Sequence, residues 1–278
     1  MSLLGRGLLY MSLTGLIGGA SIRLVLLRHR DPGVRLNRFM AFLAMAGILA
    51  LSLLGIGQFS AFRDPFAPWQ EDALMLLTTP WGRRWILASA GFVVLLVLVL
   101  WQGVGVATLL LPFALALYPP LTGHAAASGD WTAAALTADW IHLVAAGSWL
   151  GALSGLLYLG RHASEKPLIH ALARFSLQAR WSVAALLLTG SFASWLHLTG
   201  PGDVVGSPWG RILGLKLLLV AGMMALGAWN WRRLTPGLAE EGGRSALIRA
   251  SWVEVFLGML VLITTAVLTG TAPPESMP

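Results

Sequence analysis

Long apolar runs dominate this sequence, and their length limits what the chain can fold into. About eight runs hold roughly 17–25 residues each, the length that an α-helix needs to cross the hydrocarbon core of a bilayer. Their approximate bounds are Leu8–Leu27, Phe39–Gln58, Trp85–Trp101, Val104–Leu121, Leu136–Leu159, Leu177–His197, Ile212–Trp231 and Trp252–Thr269. With 56% hydrophobic and 11% charged residues, the chain is predicted to be an all-α, polytopic transmembrane helix bundle.

A two-residue break, Gln102-Gly103, separates the third run from the fourth. One long kinked helix through this point is the alternative, but at more than ~35 residues it would exceed the thickness of a bilayer. The first run has no small-residue cleavage site and is too long for the core of a signal peptide, so we expect it to be a retained helix.

Basic residues are concentrated in alternate loops. The loops after the first, fifth and seventh runs are rich in arginine, whereas the other loops are acidic or balanced. By the positive-inside rule, both termini lie outside the cytoplasm, which in a bacterium means the periplasmic side. The net charge of +7 therefore indicates orientation rather than nucleic-acid binding, since the chain has no basic patch and no nucleic-acid-binding motif.

Short motifs recur between the two halves of the chain. Thr79-Pro80-Trp81-Gly82-Arg83 returns as Ser207-Pro208-Trp209-Gly210-Arg211, and Gly18 of the first run matches Gly151 of the fifth. We predict one membrane domain made of two four-helix halves, roughly 1–122 and 123–278. An even number of spans in each half makes the repeat parallel, with its axis along the membrane normal.

The second half carries polar residues that the first half lacks. When the first and fifth runs are aligned, Asp139 and His142 fall opposite Arg6 and Leu9, and Lys216 has no charged counterpart. The matched residues have the character of a scaffold, because they serve helix starts and close packing. We therefore expect the working site in the second half, near the outer face.

Asp139 and His142 lie three residues apart at the entrance of the fifth run. On a helix this spacing puts both side chains on one face, ~5–6 Å apart at Cβ. Ionisable groups at such a position are candidates for function. The structural alternative is equally good from the spacing alone: the aspartate caps the helix and the histidine hydrogen-bonds beside it.

Two further histidines are expected at a similar depth. His124 follows the fourth run and His197 closes the sixth. The chain has no cysteine, which excludes thiolate sites and disulfides, but these imidazoles permit a copper site to which Met11 and Met75 could add sulfur. Each histidine could instead be an interfacial hydrogen-bonding group, and the methionines could be ordinary packing.

Charged residues also occur within the later runs. Arg211 and Lys216 open the seventh run, and Lys216, ~7 Å deeper, needs a partner for which Asp139 has the right depth. Glu254 enters the last run from the inner side, with Asn230 and Arg249 expected near it.

Taken together, these motifs resemble the copper resistance protein D (CopD/PcoD) family. The resemblance covers residues 122–271 closely and the first half loosely. It rests on Thr122-Gly123-His124, Asp139-Trp140-Ile141-His142, Trp149-Leu150-Gly151, Arg174-Phe175-Ser176, Pro208-Trp209-Gly210-Arg211 with Lys216, and Glu254.

The resemblance implies an eight-helix bacterial inner-membrane protein that takes up copper, as Cu(I) or Cu(II), at the periplasmic face and moves it inward. It makes His124, Asp139 and His142 candidate copper ligands, and Lys216 and Glu254 candidate structural or gating charges. We add His197 to the metal candidates and Arg211 to the charges by position, and we expect no catalytic residue. Because no carrier domain is appended, we expect a separate periplasmic copper carrier of the CopC type.

Two other functions fit the same residues. His142 with His197 or His124 could ligate a b-type haem for electron transfer. The third hypothesis is a structural or assembly subunit, in which the polar cluster only stabilises helix packing. Few polar residues lie deep in the fifth to eighth runs, which counts against an open channel.

Overall fold

The computed structural model describes residues 3–26, 33–162, 165–198, 200, 202–234 and 242–274. This part of the chain is helical and contains no strand, which confirms the predicted all-α class. The long helices are α1 (Leu3–Ser21), α2 (Gly33–Phe62), α4 (Pro80–Gln102), α7 (Thr132–His162), α8 (Glu165–His197), α10 (Pro208–Trp229) and α11 (Gly243–Leu268). The short ones are α3 (Trp69–Thr78), α5 (Val106–Leu115), α6 (Tyr118–Thr122) and α9 (Asp203–Gly206).

Less regular turns extend several of these helices. Five-residue π-helical segments follow α1 and α10, at Ile22–Leu26 and Asn230–Leu234, and 3₁₀ turns at His124–Ala127 and Gly129–Trp131 precede α7. Loop residues 27–32, 163–164 and 235–241, which hold part of the predicted inner basic charge, lie outside the described residues.

Six of the described helices are long and apolar enough to cross a membrane, over residues 3–24, 34–62, 80–102, 129–159, 208–233 and 243–268. The predicted transmembrane bundle is thereby confirmed, but the count of eight spans is not. The fourth expected span is divided into the short helices α5 and α6. The sixth is covered by α8, which has 33 residues but also carries Arg174 and Arg180. The count of eight stays a prediction.

The helix boundary predicted at Gln102-Gly103 is confirmed. α4 ends at Gln102, and Gly103 has a φ of +71°, a left-handed conformation that favours glycine. The side-chain oxygen of Asn37 accepts a hydrogen bond from the Val104 backbone N–H at 3.2 Å, and α5 begins at Val106. A single helix through this point is excluded.

The chain forms two compact units. The first comprises Met1–Ile17 and Pro32–Val144, and the second comprises Gly18–Asp31 and Ala145–Pro278. The division falls inside α1 and α7, so each of these helices contributes to both units. These units are defined by packing. The predicted halves, 1–122 and 123–278, are defined by the sequence repeat and stay a prediction.

The first unit is held together by buried apolar side chains and by hydrogen bonds between helices. Its largest fully buried side chains include Phe92, Leu13, Leu16, Ile17, Met40, Leu51, Leu54 and Leu95. The Ser12 hydroxyl donates to the carbonyl of Leu43 at 2.7 Å, and the indole N–H of Trp85 donates to the carbonyl of Leu51 at 2.8 Å. Hydrogen bonds are directional, so these two bonds specify how the helices are oriented against each other, which apolar contact alone does not.

In the second unit, small residues let helices approach closely. The end of α1 meets α7 at Gly18 and Gly151, whose backbones touch. A Cβ built at Gly258 of α11 would lie 2.3 Å from Cδ2 of Leu150 in α7. Such contacts are typical of membrane helices, which gain stability from close packing rather than from a hydrophobic effect between them.

The recurring Pro-Trp-Gly motif has the same local structure at both places. Thr79 and Ser207 are the N-caps of α4 and α10, and each hydroxyl oxygen accepts a hydrogen bond from the backbone N–H of Gly82 (3.0 Å) or Gly210 (2.9 Å). A Cβ on these two glycines would lie 2.2 and 2.0 Å from a carbonyl oxygen of the preceding helix. The motif is therefore a helix start at which the chain folds back on a short helix.

Candidate metal site

Helix α7 carries Asp139 and His142 one turn apart. Both side chains are partly exposed, and their spacing places them on the same face of the helix. Trp140, which lies between them, donates its indole N–H to the carbonyl of Phe113 at 2.8 Å. This carbonyl lies in the last turn of α5, where helices leave acceptors free for outside donors. The bond fixes the rotation of α7, and with it the direction of the Asp139–His142 face.

His124 is positioned by the end of α6. Helix α6 stops at Thr122, and His124 opens the 3₁₀ turn after Gly123, where it is partly buried. The Arg84 guanidinium of α4 donates a hydrogen bond to the carbonyl of Leu121, so α4 holds the last turn before the histidine. Neither this bond nor the Trp140–Phe113 bond was predicted, because nothing in the sequence shows which distant carbonyl a side chain reaches.

The first unit contains five of the predicted metal-site residues. They are His124, Asp139, His142, Met11 and Met75. Met75 is exposed on α3 and Met11 is partly buried on α1. Across the described ranges, no group of three or more His, Asp or Glu side chains is arranged to hold a metal ion. The shared face of Asp139 and His142 is observed, whereas their joint coordination of copper with His124 stays a prediction.

The second unit contains the predicted residues His197, Arg211 and Lys216. The His197 ring ends α8 and packs edge to face on the buried Trp209 ring, with centroids 5.9 Å apart. Arg211 is exposed and donates from Nε to the Ser207 carbonyl at 3.4 Å. Lys216 is partly buried in α10. The contact with Trp209 gives His197 a packing role, and its role as a ligand stays a prediction.

Glu254 is the most deeply buried of the predicted residues. It is 3% exposed in α11, and Oε1 accepts a hydrogen bond from the Asn230 side-chain amide. The expected proximity of these two residues is therefore observed. Asn230 is itself buried and opens the π-helical segment after α10.

The match to a known protein family lies within the second unit. Residues 169–268 match the family described as copper resistance protein D. The predicted resemblance to that family is confirmed. The matched segment runs from α8 to the end of α11, so it includes His197, Arg211, Lys216 and Glu254.

Two curated relatives extend the similarity over more of the chain. Copper transport protein CutJ of Bacillus subtilis (strain 168) is 28% identical, over 98% of this chain and 53% of its own length. Inner membrane protein YebZ of Escherichia coli (strain K12) is 29% identical, over 84% of this chain and 79% of its own length. The chain thus spans about half the length of CutJ. No solved structure matches the chain.

Proposed function

We propose that this protein is a multi-pass bacterial inner-membrane protein that captures copper at the periplasmic face and passes it inward, in copper resistance or homeostasis. The observation that carries the proposal is the match of residues 169–268 to copper resistance protein D. The relatives named as a copper transport protein and an inner membrane protein support it, as do the six apolar helices. The charge pattern of the loops supports periplasmic termini.

In this proposal, copper is the cargo, and the outer end of the first unit receives it. His124 and His142 supply neutral imidazole nitrogens, which suit both Cu(I) and Cu(II). Asp139, on the same face as His142, orients that ring by accepting its other N–H. Met11 and Met75 are the secondary ligand candidates in this unit, and a thioether would favour Cu(I). His197, in the second unit, is a separate candidate ligand. A separate CopC-like periplasmic carrier delivers the copper.

Imidazole ligation makes copper capture depend on pH. A protonated imidazole cannot ligate, so capture weakens as pH falls through the range around 6.5 in which free histidine titrates. Above this range both rings are available and copper affinity reaches a plateau.

The decisive experiment measures copper content and affinity of the purified protein by competition with a chelator, under reducing and oxidising conditions. We expect His142→Ala and His124→Ala each to lose copper affinity by about 10-fold or more. His170→Ala is the matched control, because His170 is an exposed histidine of α8 outside the proposed site. Unchanged copper affinity in both site variants would contradict this ligand set.

The same preparation tests the other functions. A Soret band with stoichiometric iron would replace copper capture by haem binding. Absence of both metals, together with normal folding of His142→Ala, would favour a structural subunit. Uptake of copper into vesicles of known orientation then gives the direction of transport.

A further inference from the structure

Two carboxylates are buried in the part of the chain that the structure describes, Asp72 and Glu254. Asp72 lies in α3, outside the candidate spans, and accepts a hydrogen bond from the Asp64 backbone N–H at 3.1 Å. Glu254 lies inside the last candidate span. A charge buried in a span is costly unless a cation pairs with it, so Glu254 needs either a counter-ion or a proton.

Glu254 belongs to the buried face of α11. The buried residues of this helix recur every three or four positions, at Leu247, Ser251, Glu254, Gly258 and Leu262. This face packs on α10 and α7, as the contact of Gly258 with Leu150 shows. The backbone of α10 also passes close to the carboxylate, since a Cβ on Gly227 would lie 3.8 Å from Oε2 of Glu254. Protein, not lipid, surrounds the group.

The hydrogen-bond partner of Glu254 is neutral. The Asn230 amide donates to Oε1, and an amide can satisfy a carboxyl oxygen without balancing a full negative charge. Asn230 also stands at the junction of α10 with the π-helical segment Asn230–Leu234. Such segments occur often at functional sites, because the extra residue in the turn lets the helix change its register locally.

The helices around α11 carry several charged or titratable groups. They are Arg211 and Lys216 on α10, Arg232 and Arg233 on the π-helical segment, Tyr158 and Arg161 on α7, His170, Arg174 and Arg180 on α8, Arg23 after α1, and Arg244 and Arg249 on α11 itself. Within the described ranges none of them forms an ion pair with Glu254. The guanidinium groups of Arg161 and Arg233 stack on Trp252 (5.2 Å) and Trp229 (5.6 Å). Lys216 lies 14 residues before Asn230, ~21 Å away along a helix.

We propose that Glu254 is a proton-binding site: it holds a proton in the packed arrangement beside Asn230 and releases it to water when the inner ends of α10 and α11 separate. The exchange is simple and balanced, because the carboxylate takes up one proton to become the neutral acid and gives the same proton back. The further claim that copper passage is coupled to this proton exchange rests on the proposed function.

Infrared difference spectroscopy of the protein in lipid nanodiscs tests the proton site without copper. We expect a protonated-carboxyl band at neutral pH that disappears in Glu254→Gln and persists in Glu71→Gln, a control in which an exposed acid of α3 is changed. Asn230→Ala should keep the band but shift its frequency, because the bond to Oε1 is lost. Absence of the band in the wild type, or its persistence in Glu254→Gln, would overturn the proposal.

Copper uptake into proteoliposomes under a pH gradient tests the coupling. We expect the gradient to change the uptake rate of the wild type and of Glu71→Gln, and to leave the rate of Glu254→Gln unchanged. If the wild type takes up no copper, the proposed transport function is refuted. The infrared experiment still tests whether Glu254 binds a proton. If Glu254→Gln takes up copper with the full gradient dependence of the wild type, coupling through Glu254 is refuted while transport stands.

Discussion

The backbones of Gly18 and Gly151 touch, so neither position has room for a side chain. A Cβ built on Gly18 would lie 2.5 Å from Cα of Gly151, and one built on Gly151 would lie 1.8 Å from Cα of Gly18. These are also the two glycines that the sequence repeat pairs with each other. The contact joins α1 to α7, and the repeat itself stays a prediction.

We predict that Gly151→Ala destabilises the protein by about 1–3 kcal/mol or more, because the added methyl group collides with backbone that cannot rotate away. The measurement is thermal unfolding in detergent, together with the yield of folded protein. Gly222→Ala is the matched control, since a Cβ on this glycine of α10 meets nothing within 4 Å. Equal stability of the two variants would show that α1 and α7 do not cross at this point.

The two helix starts offer a second prediction. Thr79→Ala and Ser207→Ala should each cost about 1 kcal/mol of unfolding free energy, because each removes the hydroxyl that accepts from Gly82 or Gly210. Thr137→Ala is the control, since the exposed Thr137 hydroxyl bonds to a carbonyl of its own helix and should contribute little. A loss in one cap variant but not in the other would mean that the two motifs are not equivalent.

Trp140 should link stability to copper capture. Trp140→Phe keeps a ring but leaves the Phe113 carbonyl without its donor, which should cost about 1 kcal/mol. Because this bond fixes the rotation of α7, we also expect a several-fold loss of copper affinity although Trp140 is not a ligand. The exposed Trp131 is the control, and Trp131→Phe should change neither property. Normal copper affinity in Trp140→Phe would separate the orientation of α7 from metal capture.

Asp139 should act through His142. We expect Asp139→Asn to weaken copper binding several-fold, less than His142→Ala does, because the amide can still contact the ring without carrying the charge. Chelator competition on both single variants and on the double variant gives their coupling. If the aspartate only orients the ring, the double variant binds no more weakly than His142→Ala. Independent, additive losses would instead indicate that Asp139 is itself a ligand.

Several parts of the candidate site were predictable because they depend on local sequence. The spacing of Asp139 and His142 sets their common face on any helix, and Glu254 was expected near Asn230. Convergence of His124 with these residues was not decided by the sequence, and the described residues contain no assembled three-residue metal group. Which distant backbone carbonyl Trp140 or Arg84 reaches depends on how helices rotate against each other.

The sequence alone determined the all-α class, the transmembrane helix bundle, the break at Gln102-Gly103 and the turn that enters a helix at each Pro-Trp-Gly motif. Each of these follows from hydropathy, helix length or capping within a few residues. Only the tertiary structure decided that α1 crosses α7 at Gly18 and that the buried face of α11 turns Glu254 toward Asn230. A helix that is apolar on every side has no amphipathic pattern that would show which face packs against its neighbours. The rotation of each helix about its axis, and the helix that it contacts, are therefore set by close packing and by single polar contacts.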